Sequence, residues 1–291
     1  MRKFKYFIAK LLGFVPDPIM LRVQYFIKLK RLANIERPTR FTEKIQWYKA
    51  YYRNNEMLAC TDKYLVREVC RNKLGTDKYL NELYYVCENA NEIDFDKLPN
   101  SFVIKTTDGG NGDNILVCRN KAQLNRIATI KQINKWRNKR YDTISREWAY
   151  KGAKKSLIII EKLLVDPHNN DNSIDDYKFL CYNGKFKFLW VDKNRYSDHK
   201  RGFWDENLNF LHGVRSDKPT FKHPPKLPSN IHEMIYIAEM LASGFPFARI
   251  DLYNISGKIY FGEITFYPWS GYVKYTPDKF DFDLGKHFII D

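Results

Sequence analysis

The chain has 291 residues, is 44% apolar and 16% aromatic, and carries a formal net charge of +15. This length and apolar content are enough for one large domain or two small ones. No window reaches the ~18 uninterrupted apolar residues of a membrane span, and the five cysteines form no C-x-x-C pair. Composition therefore excludes a helical membrane span and a disulfide framework, and we expect a cytoplasmic protein with reduced, buried thiols.

The first sixty residues predict three helices. Arg2–Leu12 is short and basic, Pro18–Ala33 has an apolar stripe, and the third helix runs from Thr42 through Tyr51. The first one combines basic and apolar residues, which predicts weak, peripheral attachment to the inner face of an anionic membrane. Packing onto the next helix is the alternative. Lys10 interrupts the apolar run and no A-x-A-like site follows, so a secretory signal is not expected.

From residue 61 onward the pattern mixes helices with antiparallel strands, so we predict an α+β fold. The predicted helices are a fourth from Thr61 to Gly75, then Ala122–Asn138 and Asn230–Ala242. The predicted strands are Leu83–Cys87, Ser101–Lys105, Asn114–Cys118 and Leu157–Leu164, followed by hairpins over residues 176–193 and 249–265.

The positive charge is confined to the first half of the chain. Residues 1–60 carry 13 Lys and Arg against 4 Asp and Glu, and residues 61–156 carry 19 against 12. Residues 157–291 carry 17 against 18. Such asymmetry predicts an acidic partner: nucleic acid, anionic lipid, acidic polysaccharide or nucleotide phosphate. A role in solubility alone is the alternative.

A glycine-rich loop follows the strand that ends in Lys105. The sequence Asp-Gly-Gly-Asn-Gly at residues 108–112 lies between two strands, so it is neither a P-loop nor a dinucleotide fingerprint. Glycine lets backbone amides approach phosphates closely, and Lys105 would reach one as a point charge. The alternative is an ordinary hairpin loop.

The apolar strand 157–164 contains Glu161 near its end. Its backbone can bond a purine edge, while Glu161 would accept from the exocyclic amine. A plain buried strand with an exposed tip is the alternative.

Two carboxylates near the C-terminus carry the strongest signal. Asp251 and Glu263 lie in short alternating runs, and a tight turn at residues 254–257 separates them. Antiparallel pairing would bring them together on the same face as Arg249 and Thr265. Two carboxylates suit magnesium with substrate phosphate, and the arginine can hold a phosphoryl group bidentately. The alternative is an edge hairpin with solvated charges.

In their joint order these features resemble the ATP-grasp superfamily, and more closely its TupA-like family of surface-polysaccharide clusters. The fragments that carry the closer resemblance are FTEKIQW (41–47), DKYLVR (62–67), LPNSFVIK (98–105), DYKF (176–179) and FGEITF (261–266). The resemblance covers roughly residues 40–285. It implies an ATP-grasp fold with a helical region over 1–60, a first subdomain over 61–156 and a second over 157–291, with ATP held between the two subdomains.

The resemblance also assigns roles to individual residues. Phosphate contacts would come from Lys63, Lys105, Lys178 and the loop glycines Gly109, Gly110 and Gly112. The adenine would meet Glu161, flanked by Lys162 and Leu164, and Asp166 is the candidate for the ribose. Magnesium would be held by Asp251, Glu263 and Thr265, where many relatives have Asn in place of the threonine, and Arg249 would steady the transferred phosphoryl group. We further expect Lys105 and Glu161 on opposite sides of one nucleotide pocket.

The chemistry that the resemblance implies is ATP-dependent carboxylate–amine ligation through an acylphosphate. The expected substrates are a uronic acid or amino sugar of a capsule, lipopolysaccharide or related glycan, together with an amino acid or amine. The aromatic residues Trp47, Tyr48, Tyr51 and Tyr52 would either stack on sugar rings or pack the helix.

Two other functions remain open at the level of sequence. A glycosyltransferase would need a D-x-D motif, and Asp281-Phe282-Asp283 has those letters, although it is better placed to cap the last helix. An RNA-binding protein would fit the charge and the aromatic content, but no RRM, KH or OB signature is present, so no specific nucleic acid is expected.

Overall fold

The structure is a computed structural model that describes residues 12–108, 114–137, 145–151, 156–169 and 171–290. The chain divides into two compact units. Unit 1 comprises Met1–Asn54, Thr143–Trp148 and Val165–Asp291, and unit 2 comprises Asn55–Asp142 and Ala149–Leu164.

The unit boundaries differ from the positions used to divide the sequence. The predicted division between residues 156 and 157 falls inside unit 2, so Glu161 and Lys105 belong to one unit. Residues 1–54 belong to the same unit as the C-terminal third of the chain. The division into three functional segments stays a prediction.

The first described helix, α1, spans Asp17–Leu29. Pro18 in its first turn has no amide hydrogen, so one of the donors that a helix start leaves without a partner is missing there. The helix ends at Leu29 because Lys30 takes the left-handed conformation (φ 59°), so the predicted end at Ala33 is wrong by one turn. Leu21, Tyr25 and Leu29 are buried. The predicted helix Arg2–Leu12 lies outside the described residues, except for Leu12.

Helix α2, Phe41–Tyr51, buries polar side chains as well as apolar ones. Its buried polar stripe consists of Thr42, Glu43, Gln46 and Lys49. Glu43 accepts hydrogen bonds from the amides of Asn34, Thr39 and Arg40. Each of these buried groups has polar partners, as a low-dielectric interior requires. The polar residues of the stripe that belong to the FTEKIQW fragment (41–47) are therefore buried groups with structural hydrogen bonds.

Unit 1 is built on a five-stranded antiparallel sheet of order β7-β6-β5-β8-β9. Its strands are β5 (Asp176–Tyr182), β6 (Lys185–Lys193), β7 (Lys200–Trp204), β8 (Phe247–Ile255) and β9 (Lys258–Thr265). Two positive φ angles, 48° at Asn183 and 73° at Gly184, make the tight turn between β5 and β6, as predicted. Strand β7 was not predicted.

Aromatic side chains fill the interior of unit 1. Phe41, Tyr48 and Phe247 pack with Tyr182 and Phe288 at ring distances of 5.0–6.4 Å. Helices α6 (Ile231–Ala242) and α7 (Lys279–His287) belong to the same unit. Tyr48 is fully buried and donates to the carbonyl of Phe247 at 3.1 Å, so packing explains it better than sugar stacking does.

Unit 2 is built on a four-stranded antiparallel sheet of order β1-β4-β2-β3. The strands are β1 (Leu83–Cys87), β2 (Phe102–Thr106), β3 (Ile115–Cys118) and β4 (Ile158–Lys162). Its helices are α3 (Glu56–Thr61), α4 (Val66–Leu74) and α5 (Arg126–Arg137). The predicted fourth helix thus starts at Val66 instead of Thr61, and it ends at Gly75 with φ 66° as expected.

Short 3-10 helices complete the described elements. They span Leu12–Phe14, Ala90–Glu92, Phe95–Lys97, Lys121–Gln123, Trp148–Lys151 and Pro268–Gly271. All five cysteines are buried and unpaired, as predicted. Within the described ranges, no helix combines the length and the apolar character needed to cross a bilayer.

Candidate active site

The hairpin of β8 and β9 has the predicted arrangement. Asp251 lies opposite Glu263, and Arg249 lies opposite Thr265. Facing residues of an antiparallel pair point to the same side of the sheet. All four side chains therefore share one face, as predicted, and Asp251, Arg249 and Thr265 are buried there.

A β-bulge produces this register. Leu252 pairs with Phe261 and Asp251 pairs with Glu263, so Gly262 is the extra residue. A Cβ atom on Gly262 would lie 2.9 Å from the carbonyl oxygen of Asp251. Glycine thus permits the close approach that aims Glu263 at Asp251.

The three predicted magnesium ligands converge on one nitrogen atom of Arg249. Its Nη2 lies 2.7 Å from Asp251 Oδ2, 2.8 Å from Glu263 Oε1 and 3.0 Å from Thr265 Oγ1. Its Nε donates to Asp251 Oδ1 at 2.6 Å, which completes a bidentate pair. The guanidinium of Arg249 therefore lies at the point where the three oxygen atoms predicted to bind magnesium converge.

Lys178 adds a second buried cation to this group. It lies opposite Asp251 across β5 and β8, and its Nζ donates to Asp251 Oδ2. It also donates to Asp176 Oδ2 at 2.5 Å. Arg195 reaches the same oxygen of Asp176 at 3.1 Å. Sequence reasoning missed Asp176, although its position two residues before Lys178 on one strand places both on the same face.

Burial and charge set the protonation of the cluster. Burial raises the pKa of Asp251 to about 6 against the opposing effects of Arg249 and Lys178, and Asp176 and Glu263 add to the rise. Burial disfavours the charge of Arg249, but the Asp251 and Glu263 carboxylates outweigh it and raise the pKa of Arg249 above its usual range. Arg249 therefore stays charged at every physiological pH.

Trp190 of β6 lies against the cations and was also missed. Its ring centre is 4.9 Å from the Arg249 guanidinium carbon, 4.8 Å from that of Arg201 and 5.8 Å from Lys178 Nζ. Cations near an indole ring are attracted by its quadrupole. No charge or motif in the sequence marked this tryptophan.

The donor set is compatible with a hard divalent ion. Asp251, Glu263 and Thr265 offer oxygen atoms, the class of ligand that magnesium prefers, and the Glu263 side chain is 56% exposed. Asp176 Oδ1 is buried and has no hydrogen-bond partner in the described part of the chain. No group of three or more His, Cys, Asp or Glu side chains in the described ranges is arranged to hold a metal. Any metal site here would thus rest on two carboxylates and a hydroxyl.

In unit 2, Glu161 bridges two cations. Its Oε2 accepts from Lys105 at 2.8 Å, and its Oε1 accepts from Arg67 of α4 at 3.1 Å. The expectation that Lys105 and Glu161 lie on opposite sides of a pocket is therefore wrong, because they are in direct contact. Diagonal positions on neighbouring antiparallel strands place both side chains on one face. Arg67 was not predicted as a site residue, although it ends the DKYLVR fragment.

The other residues predicted to bind the nucleotide lie as follows. Lys63 is half-buried, and its amide donates to the carbonyl of Thr107 at 3.0 Å. Lys162 is exposed, Leu164 is half-buried, and Asp166 is buried and accepts from the amide of His168 at 3.0 Å. Gly109, Gly110 and Gly112 lie outside the described residues. The roles assigned to all these residues stay predictions.

The two aspartates of the D-x-D sequence, Asp281 and Asp283, are engaged in contacts within the protein. Asp281 is buried in α7 and accepts from the Thr42 amide at 3.0 Å and the Thr42 hydroxyl at 2.7 Å. Asp281 therefore accepts hydrogen bonds at the N-terminus of α2. The prediction that it caps its own helix is wrong. Asp283 pairs with Lys279 and Lys286. These contacts disfavour a sugar-nucleotide metal site at this motif.

Comparison with known proteins gives a family match over most of the chain. Residues 43–289 match the model of the family described as TupA-like ATPgrasp. No curated protein matches the chain.

Several solved structures are similar to the chain. A D-alanine–D-alanine ligase from Bacillus anthracis is 17% identical, with a TM-score of 0.43 and a match over 71% of this chain and 57% of that one. An L-amino acid ligase from Bacillus licheniformis is 13% identical, with a TM-score of 0.48 over 79% and 49%. N5-carboxyaminoimidazole synthetase from Staphylococcus aureus, complexed with ADP, is 12% identical, with a TM-score of 0.43 over 71% and 44%. This chain thus spans 44–57% of the length of these proteins.

Proposed function

This chain belongs to the TupA-like ATP-grasp family, and on that premise we propose that it is an ATP-dependent carboxylate–amine ligase. The observation that supports this function best is the convergence of Asp251, Glu263 and Thr265 on Arg249, with Lys178 beside them. Two cations and two carboxylates on one face of the sheet suit the stabilisation of a transferring phosphoryl group.

In the proposed reaction, a carboxylate oxygen of the acid substrate attacks the γ-phosphorus of ATP. The bond from that phosphorus to the bridging oxygen breaks, and ADP leaves. The amine nitrogen then attacks the acyl carbon, loses a proton and expels phosphate, which leaves an amide. No side-chain nucleophile is required.

The unit 1 residues would serve the phosphoryl group. Arg249 and Lys178 would neutralise charge on the phosphoryl oxygens. Asp251, Glu263 and Thr265 would hold magnesium, which supplies further charge neutralisation when bound. This arrangement requires the Arg249 guanidinium to leave the point where the three oxygens meet and to turn to the phosphoryl group.

The unit 2 residues would serve the rest of the nucleotide. Lys105 and Lys63 would contact phosphates, while Lys162 and Leu164 would offer backbone groups to the adenine. Both oxygens of Glu161 already accept from cations, but a carboxylate has about four lone-pair sites. Acceptance from the adenine amine therefore remains compatible with the two ion pairs. Asp166, which belongs to unit 1, stays the candidate for the ribose.

For the substrates, we propose a uronic acid or amino sugar of a bacterial surface polysaccharide and an amino acid or amine. The excess of positive charge over residues 1–156 supports an acidic partner.

An ADP-release screen with ATP and magnesium tests the proposal, with uronic acids combined with amino acids and amines. We expect turnover that needs both the acid and the amine, and a product whose mass equals that of the two substrates less one water. An acid labelled with ¹⁸O in its carboxylate should transfer one label to the released phosphate. Turnover without this transfer, or turnover of a sugar nucleotide without ATP, would rule out the acylphosphate route.

We also propose weak peripheral attachment to an anionic membrane at the N-terminal end of unit 1. The predicted basic helix lies outside the described residues, but α1 next to it has an exposed apolar stripe beside the exposed cations Lys28 and Lys30. Interfacial helices combine these two features. The exposed apolar side chains of α1 are Ile19, Val23, Phe26 and Ile27, and Phe14 before the helix and Leu32 after it are also exposed.

Deleting residues 1–13 should reduce binding to anionic vesicles at low salt and leave ATP turnover on a small acceptor nearly unchanged. Each basic residue near the surface contributes about 1 kcal/mol. Co-sedimentation with anionic and neutral vesicles measures the effect. Equal binding to both kinds of vesicle, or unfolding of the truncated protein, would exclude this mode of attachment.

A further inference from the structure

Three consecutive residues, which begin four positions after the end of β9, have left-handed backbone conformations. The φ angles are 47° at Trp269, 60° at Ser270 and 71° at Gly271. This region disfavours residues with a Cβ atom, so surrounding contacts must hold the first two in place. We call residues 269–271 the tryptophan turn.

The buried polar stripe of α2 provides those contacts. Lys49 Nζ donates to the Ser270 carbonyl at 2.7 Å and to the Ser270 hydroxyl at 2.5 Å. Gln46 Nε2 donates to the carbonyls of Ser270 and Gly271 at 3.1 and 3.3 Å. A Cβ on Gly271 would lie 2.3 Å from Gln46 Nε2, so the helix and the turn pack with no room for a side chain.

Lys49 is an unusual group for this position. Its side chain is completely buried, and the nearest carboxylate, Glu147, lies 3.8 Å away. Burial lowers the pKa of Lys49 to about 8, because a low-dielectric interior disfavours the charged amine. An apolar side chain would fill this space without that penalty. What the Lys49 amine adds is its hydrogen bonds to the turn.

The other side of the tryptophan turn contacts the candidate active site. The ring of Trp269 stacks on that of Trp190, with centroids 4.1 Å apart and planes 13° from parallel. Trp190 in turn lies 4.9 Å from the guanidinium of Arg249 and 5.8 Å from the amine of Lys178. A continuous set of contacts thus leads from α2 through the turn to the two cations.

We propose that Lys49 and Gln46 are positioning residues that hold the tryptophan turn, so that Trp269 fixes Trp190 against Arg249 and Lys178. The effect on catalysis rests on the proposed function, whereas the effect on the tryptophan pair does not. Residues 41–49 of α2 would then influence the candidate active site although they lie about 200 residues from Arg249 in the sequence.

The test replaces Lys49 by Met, which keeps most of the side-chain volume and removes the donors. Lys44→Met is the matched control, because Lys44 lies on the same helix and also donates to a backbone carbonyl, that of Phe288 at 2.6 Å. Stacked indoles give an exciton couplet in circular dichroism, and Trp269→Phe identifies the part due to this pair. ADP formation gives kcat and the KM for ATP.

We expect Lys49→Met to lose the couplet and to lower kcat by roughly tenfold or more, with KM for ATP changed by less than about threefold. Lys44→Met should keep both the couplet and kcat. The losses in kcat from Lys49→Met and Trp269→Phe should not add in the double variant, because both act through the same contact. Additive losses would show that Lys49 acts by another route and would overturn the proposal.

Gln46→Met provides a second variant if Lys49→Met fails to fold. It removes two weaker bonds to the same turn and should reduce the couplet in part. A couplet that persists in every folded variant of Lys49 or Gln46 would overturn the structural claim. A lost couplet with unchanged kcat would overturn the catalytic claim. The couplet needs no substrate, so its outcome stands even if the proposed ligase activity fails.

Discussion

Glu263→Ala is expected to lower ATP turnover by roughly 10²-fold or more while the protein stays folded. Glu263 accepts from Arg249 and Thr265, yet its side chain is 56% exposed. Its loss therefore removes one of the two carboxylates for magnesium without opening the core. ADP formation at saturating ATP, measured over a range of magnesium concentrations, reports the effect.

Glu206→Ala is the matched control, because Glu206 is also an exposed carboxylate of unit 1 in an ion pair, with Lys187. It should leave turnover unchanged. Gly262→Ala tests the geometry, since the added Cβ would press on the Asp251 carbonyl and displace Glu263. We expect an intermediate loss of turnover there. Full activity in Glu263→Ala would refute the assignment of this carboxylate.

Glu161→Gln is expected to destabilise the protein by about 3–5 kcal/mol. The substitution keeps the volume but leaves Arg67, whose side chain is 10% exposed, as a buried cation without a charge partner. Denaturant unfolding followed by circular dichroism measures the change in the free energy of unfolding.

Two comparisons make this result specific. Glu82→Gln removes an exposed carboxylate 3.6 Å from Lys162 and should change stability by less than about 1 kcal/mol. Lys105→Met removes the more exposed partner of Glu161 and should cost little stability but weaken ATP binding. Glu161→Ala removes the acceptor altogether and should weaken ATP binding more than GTP binding; equal losses in a folded Glu161→Ala protein would mean that Glu161 makes no contact with the adenine amine. Unchanged stability would mean that Arg67 finds another partner.

Local sequence was sufficient to predict those features of the structure that depend on residues close together in the chain. Alternating apolar residues on both sides of a turn predicted that Asp251 and Glu263 would meet, and the ladder confirms it. The Asn183-Gly184 turn was also predicted from local sequence, because asparagine and glycine adopt positive φ at lower cost than other residues. The α+β class followed from the same short-range periodicities.

The register of the β8–β9 ladder, counted from the turn, shows what alternation could not predict. The turn at Ser256 and Gly257 pairs Ile255 with Lys258, and a regular ladder from there would place Asp251 opposite Gly262. Glu263 would then point to the other face of the sheet. The bulge at Gly262 restores the shared face, and alternation alone does not reveal a bulge.

The tertiary structure alone decided which distant groups complete each site. Arg67 reaches Glu161 across 94 residues, Asp281 reaches Thr42 across 239, and Lys49 reaches Ser270 across 221. Each contact satisfies a buried charge or amide that cannot be left without a partner. Periodicity and turn residues report how a segment folds and which face it buries. They contain no information about which segment covers that face, because that choice depends on packing and on partners for polar groups across the whole fold.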